Sequence, residues 1–275
     1  MDDTKESISS YWSENVCDFK KAPTFDELDE RQYAIYPWVD EVFRMKEMAG
    51  MDVLEVGVGS ACSPCKAIRE YKPKTYTLYD ISPGTLEVAT NHLKEHCGDF
   101  PFKTIQGDME DMSAIPDNSF DIVLAIGSIH HTTTPLRALK EISRVLKDNG
   151  KFVFMFYNKD SWRVKYKLPW AMKYGNTEVI SIDEMVRKWD GITNPIGIAL
   201  TRTEIKTAMR KAGFTITHME TRETSNSFNM VPLPKFLKNK LKKKYGDSMY
   251  VYGINKTKEF GFSRRLMRHI IRSLI

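Results

Sequence analysis

Apolar residues in this chain fall into short runs that alternate with stretches of helical spacing, most clearly between Met51 and Tyr157. Runs near 51–56, 75–80, 102–106, 120–126 and 150–157 have the length and content of buried strands. The stretches 62–71, 83–96 and 134–146 carry apolar residues at the spacing of helices with one buried face. Ser82-Pro83 predicts a helix start, because proline suits the first helical position, and Asn149-Gly150 predicts a turn into the fifth strand. Strand–helix alternation of this kind builds a parallel sheet flanked by helices.

On either side the pattern changes. Residues 1–50 read as a helical arm: a short helix over Thr4 to Trp12, then a longer helical region from Phe25 to Met48 that Pro37 breaks or kinks. The arm is rich in aromatic residues, which either cap a site or cover the sheet edge. Residues 158–200 carry Trp162, Trp170 and Trp189, with turn formers at Gly191 and Asn194-Pro195. That is long for a plain connection and predicts an inserted helical cap. Residues 201–258 complete the core. Thr201 to Ala212 reads as a helix with Thr201 or Thr203 as N-cap and Gly213 as its stop. Phe214 to Thr221 and Met249 to Asn255 read as two further strands. The lysine-rich run from Pro234 to Tyr245 reads as a solvated helix face, with a phosphate or acidic-lipid site as the other reading. In 259–275, Phe262, Leu266, Met267, Ile270, Ile271 and Leu274 share a face beside four arginines. This amphipathic basic helix docks on its own domain, on a partner subunit, or on a membrane surface.

The candidate chemistry concentrates where the first core strand meets the first core helix. Val53 to Val56 leads into Gly57-Val58-Gly59-Ser60-Ala61, a glycine turn that lets backbone come close to a ligand. The sixth position of a dinucleotide fingerprint is Cys62, so that motif is absent. Glu55 at the end of a buried strand needs a partner, and a cationic ligand would be one. Asp80 at the tip of the second strand is placed to accept hydrogen bonds from ribose hydroxyls.

Glu55-x-Gly57-x-Gly59-x-Ala61, then Asp80, Gly107-Asp108, Ile115-Pro116-Asp117-Asn118-Ser119-Phe120-Asp121, His130-His131 and the stretch Ala138 to Gly150 follow one another in order. Together they resemble the class I S-adenosylmethionine-dependent methyltransferases. The resemblance implies an α/β, Rossmann-like, seven-stranded, mostly parallel sheet with an antiparallel last strand, in which 51–157 binds the cofactor. It implies methyl transfer by in-line displacement to an oxygen or nitrogen, less readily a carbon or sulfur, of a small-molecule acceptor, with S-adenosylhomocysteine as product. It also implies roles. Glu55 orients the cofactor's amino group, and Gly57, Val58 and Gly59 approach its methionine half. Asp80 holds the ribose diol with Ile81 against the adenine. Asp108 accepts from the adenine amino group, with Met109 on the ring face. Backbone at Ala125 and Ile126 meets the amino-acid end. Tyr11-Trp12 with Arg31-x-Tyr33 is similar to arms that fold over the methionine end, which adds Tyr33 to the cofactor site and Tyr11 and Trp12 to the acceptor site. His131 is the candidate base or acceptor ligand, with His130 beside it; the pair otherwise shapes the loop. Replacing Asp80 by alanine is expected to remove cofactor affinity and leave the fold intact.

Composition narrows this further. A net charge of +5 over 275 residues is too weak to argue for nucleic acid. Ala125-Ile126-Gly127-Ser128 also stands where a base-handling Asn-Pro-Pro-Tyr signature would be. Four cysteines do not suggest a disulfide framework, and a reducing cytoplasm is the expected setting. Cys62-x-x-Cys65 reads as helix-on-sheet packing, with a redox pair or a metal half-site including Cys17 as the other reading; no metal is expected. The acidic first residues lack an apolar signal region, and no run of about 18 apolar residues occurs. The class that competes with an enzyme is a non-catalytic S-adenosylmethionine-binding partner or regulatory subunit; an oligomer is compatible with either.

Overall fold

The computed structural model describes residues 3–16, 37–174, 181–222 and 232–256, together with Thr24, Asp26, Glu27, Glu30, Ala34 and Phe228. Tyr33, Cys17 and the basic helix expected over 259–275 lie outside the described residues.

Seven long strands form the sheet near the apolar runs that predict them, except that the fifth begins at Leu146 and takes in Asn149-Gly150, the residues expected to turn into it. They are β1 (Asp52–Val56), β2 (Thr75–Asp80), β3 (Phe102–Gln106), β4 (Phe120–Ile126), β5 (Leu146–Asn158), β7 (Phe214–Arg222) and β8 (Ser248–Asn255). An eighth, the two-residue β6 (Ala199–Leu200), pairs with the end of β5 and has no counterpart in the sequence pattern, being too short to carry a period. The order is β3-β2-β1-β4-β5-β8-β7. β1 to β5 run parallel, and β8 is antiparallel to both β5 and β7.

The helices that enclose this sheet are α3 (Cys62–Lys66), α4 (Pro83–Cys97), α5 (Pro135–Val145) and α8 (Arg202–Ala212). Successive strand residues point to opposite faces, so two cores result. Val53, Leu78, Leu124 and Val153 meet Ala67, Ala89 and Leu93 on one face. Leu54, Val56, Val123, Phe154 and Phe156 meet Leu139, Ile142, Ile205 and Met209 on the other. A parallel sheet covered on both faces needs such continuous apolar strands. α8 closes as expected: Glu204 N donates to Thr201 Oγ1, Thr201 N donates to Glu204 Oε2, and Gly213 leaves at φ 96°.

The flanking segments differ in detail from expectation. α1 spans Asp3–Glu14, longer than the short helix predicted. Of the helical region expected over Phe25 to Met48 with a break or kink at Pro37, the residues described from 37 on show the single turn α2 (Val39–Val42) and a 3-10 turn Met45–Met48. Arg44 between them sits in the left-handed region at φ 54°, which ends a right-handed helix. The insert is helical as expected. A π turn at Arg163–Lys167 leads into α6 (Leu168–Tyr174), followed by α7 (Ile182–Arg187) and a 3-10 turn at Lys188–Asp190. Val164, Leu168, Val186 and Ala199 form its own small core beside Tyr157. α9 (Lys235–Tyr245) buries no residue, the solvated face its lysines predict.

Candidate active site

A cavity of about 430 Å³ opens at the carboxyl ends of β1, β2 and β4, where the strand order reverses. One end of it is built by the glycine turn. Gly57 sits at φ 77° with its back against Ser128: a Cβ there would overlap that of Ser128 and lie 2.9 Å from its Oγ. Ser128 is fixed in turn by donating from Oγ to Val56 O at 2.6 Å. Ala61, where a glycine is common in the resembled pattern, takes the left-handed region itself at φ 62°.

Asp80 is buried at the tip of β2 and organises the turn. Its Oδ2 accepts from Val58 N at 3.0 Å and its Oδ1 from Ser82 N at 2.9 Å. Burial nonetheless pushes its carboxyl up to about 6, against the pull of those amides. Ser82 also caps α4 by accepting from Thr85 N at 3.0 Å, so the acid and the helix start are one assembly. Glu55, buried on the cavity wall, receives a hydrogen bond from Tyr76 Oη. Burial pushes it up to about 7, and the tyrosine only partly offsets this.

These shifts give a pH signature. Both carboxyls have folded values above their ordinary ones, so the folded state holds more protons than the unfolded state between about pH 4 and 7, and the sites' contribution to stability falls as pH rises across that window. A cation bound against Glu55 favours the carboxylate. Affinity for a ligand with an ammonium group should therefore rise with pH up to about 7 and then level off. Thermal shift with S-adenosylhomocysteine from pH 5.5 to 8 checks this: the stabilisation should grow with pH, and Glu55→Gln should flatten the curve.

The arm covers this end of the cavity. Lys5 on α1 pairs with Asp108 Oδ2 and lies 3.4 Å from Glu110 Oε2, while Asp108 Oδ1 accepts from Glu110 N at 2.9 Å. Both oxygens of the acid expected to meet an adenine amino group thus already have donors. Ser9 Oγ donates to Ile81 O at 3.0 Å, and Thr85 Oγ1 donates to Trp12 O at 3.1 Å. Lys5, Ile8 and Trp12 of the arm line the cavity.

Another part of the wall is aromatic. The His131 ring lies 5.0 Å from that of Trp12 and 6.1 Å from that of Tyr157, and Phe43, Met155 and Asp190 of the insert also line the cavity. His131 Nδ1 lies 2.6 Å from Ile196 O, and its Nε2 lies 3.3 Å from Asp190 Oδ2. Tyr157 Oη donates to Asp190 Oδ1 at 2.7 Å, and Tyr11 Oη donates to the main-chain O of Asp190.

The structure brings Glu55, Gly57, Val58, Gly59, Asp80, Ile81, Asp108, Met109, Ile126, Trp12 and His131 around one cavity. It does not bring Ala125, His130 or Tyr11 to its wall. Ala125 alternates away from Ile126 into the core that holds Val123 and Phe154. His130 is fully buried with its ring 3.9 Å from that of Tyr157; burial, with His131 beside it, holds its imidazole well below the usual range, so it is a neutral core residue. Tyr11 acts through Asp190 from behind. Cys65 is buried as expected, whereas Cys62 reaches the cavity wall, and no trio of metal-ligating side chains occurs among the described residues. Lys5, Ser128, Tyr157 and Asp190 escape the sequence reading. Only Tyr157 carried a signal, its place at the carboxyl end of a core strand.

A parallel sheet with an antiparallel final hairpin, a glycine turn after β1 and an acid at the tip of β2 make a Rossmann-like fold with its cavity at the carboxyl ends of the strands. Residues 54–154 match the family described as "Methyltransferase domain". Over these residues the chain is similar to methyltransferase domains. Sterol 24-C-methyltransferase erg6 of Aspergillus fumigatus is 30% identical over 172 residues, 62% of this chain and 41% of that one. The fatty-acid O-methyltransferase of Mycolicibacterium smegmatis is 29% identical over 129 residues, 47% of this chain and 44% of that one. The chain thus spans less than half the length of these curated relatives. The fold is shared with geranyl diphosphate C-methyltransferase of Streptomyces coelicolor A3(2), solved with S-adenosyl-L-homocysteine, at TM-score 0.60 and 12% identity over 92% of this chain and 98% of that one.

Proposed function

We propose that the protein transfers the methyl group of S-adenosylmethionine to an oxygen or nitrogen of a small acceptor with a large apolar part. The observation that carries this is one cavity whose wall combines acids and a glycine turn with aromatic rings, His131 and Asp190. The residues present fit the cofactor. The back of Gly57 is closed by Ser128, which leaves its other side open to a ligand, and Asp80 is pre-oriented by two amides.

S-adenosylmethionine brings its methyl group already activated on a sulfonium. The chain's own part is binding, orientation and a dry site. Glu55 would pair with the amino group, and Gly57, Gly59 and the backbone at Ile126 would flank the amino-acid end. Asp80 would accept from the ribose hydroxyls, its spare lone pairs directed by Val58 and Ser82. That use of the Val58 amide makes Val58 a support for Asp80 rather than a direct donor. Ile81 and Met109 would hold the adenine, and Asp108 has lone pairs beside Lys5 for the adenine amino group. Trp12, Phe43 and Tyr157 would hold the apolar body of the acceptor. Both relatives act by name on lipids, one at carbon and one at oxygen; their names support the apolar acceptor and leave the atom to the site. Incubation with radiolabelled S-adenosylmethionine and a panel of long-chain alcohols, fatty acids, phenols and amines tests the reading. Label transferred to oxygen or nitrogen is expected, and transfer only to carbon would overturn the atom assignment.

A further inference from the structure

Asp190 is the one acid that the insert delivers to the cavity wall among the described residues, and three separate parts of the chain hold it there. Tyr157 from the end of β5 holds Oδ1. Tyr11 from α1 holds the main-chain oxygen. His131, on the 3-10 turn after β4, faces Oδ2. Gly191 at φ 138° is part of the fit, since a Cβ there would overlap the Tyr11 hydroxyl. The insert and the arm therefore have to be closed together for Asp190 to stand where it does.

The protons decide what this cluster can do. A carbonyl can only accept, so the contact to Ile196 O makes Nδ1 of His131 the donor. In the neutral ring Nε2 then presents a lone pair. Its neighbour at 3.3 Å, Asp190 Oδ2, also presents lone pairs, and it is buried without a hydrogen bond among the described residues. Two acceptors facing each other in a closed site are unfavourable until a proton comes between them; then they form a charge-assisted hydrogen bond. Both side chains line the cavity, so a proton released there can come between them.

We propose that His131 and Asp190 are the proton-accepting pair for the methyl acceptor, and that the acceptor therefore presents an O–H or N–H group to them. This rests on the methyl-transfer reading above. In the step, the acceptor's X–H bond breaks and an N–H bond forms at Nε2, facing Oδ2. The electron pair left on X becomes the X–CH₃ bond, and the departing sulfur keeps the pair of the old S–CH₃ bond. The pair's charge changes from −1 to zero as it takes the proton. Tyr157 is a positioning residue that acts through Oδ1.

Two readouts test the pair. The first needs no acceptor: ¹⁵N spectra of the His131 ring in the protein saturated with S-adenosylhomocysteine. Asp190→Asn should move the Nε2 resonance, because the oxygen that faces it is lost. An unchanged Nε2 resonance would overturn the proposal. Asparagine keeps the side-chain shape and leaves the Tyr11 contact, which is to the main chain, in place. The second is turnover of whichever acceptor the panel yields. Asp190→Asn should lower kcat at least 100-fold with the KM for S-adenosylmethionine changed less than threefold. Formate should restore at least tenfold of the activity of Asp190→Ala but not that of His131→Ala. Loss of cofactor affinity in Asp190→Asn, or absence of formate rescue, would make Asp190 a closure residue and overturn its catalytic role. If the wild type fails to bind S-adenosylhomocysteine, the methyl-transfer reading fails, and the ring spectra of the free protein still report on the pair.

Discussion

Asp80→Ala should lower affinity for S-adenosylmethionine and S-adenosylhomocysteine at least 100-fold and leave the protein folded. Hydrogen bonds to a charged group contribute about 1.5–3 kcal/mol each, and a ribose diol would lose two of them. The effect on the free protein is more balanced. Without the carboxylate, the buried amides of Val58 and Ser82 lose their acceptor, a cost of about 1–3 kcal/mol each. Against this, the carboxyl pushed up to about 6 is charged at neutral pH at a cost of roughly 3 kcal/mol, which alanine removes. The two terms are of similar size and opposite sign. Near-native circular dichroism with affinity lost is the expected pair of results. A variant that binds like the wild type would remove Asp80 from the site.

Gly57→Ala should be the more damaging change to the fold. The new Cβ meets the side chain of Ser128, and the residue keeps a φ of 77° that favours glycine. The left-handed backbone costs about 1–2 kcal/mol and the overlap about 1–3 more. For a chain of this size that corresponds to a fall in Tm of roughly 5–15 °C. Ser128 cannot simply turn away, because its hydroxyl holds Val56 O. If the overlap is the cause, Ser128→Gly in the same chain should recover more than half of the lost Tm, measured by calorimetry. Equal Tm values for the single and double variants would place the cost in the backbone alone.

The part of the site legible in the sequence is the part made locally. The glycine turn follows its strand directly, and Asp80 ends its own strand, so pattern and position suffice. Ser82-Pro83 and the Thr201–Glu204 capping box are local in the same way. What the sequence hides is closure. Lys5 reaches Asp108 across 103 positions, and nothing in the spacing of either residue announces the other. Asp190 sits in an insert whose helices are too short for a clear period, so its arrival beside His131 follows from packing alone. Neighbours in sequence can also part. Ile126 lines the cavity while Ala125 turns to the core because a strand alternates, and His130 is buried while His131 reaches the wall. The helical region expected before β1 is interrupted at Arg44, a left-handed residue without the glycine that would have marked it.

The most direct test of the account is calorimetric titration of the purified protein with S-adenosylmethionine and S-adenosylhomocysteine at pH 7.5. Micromolar binding of both, with one ligand per chain and with affinity lost in Asp80→Ala, is the predicted result. Absence of binding by either ligand to the folded protein would contradict the assignment of the cavity, and with it the methyl-transfer function.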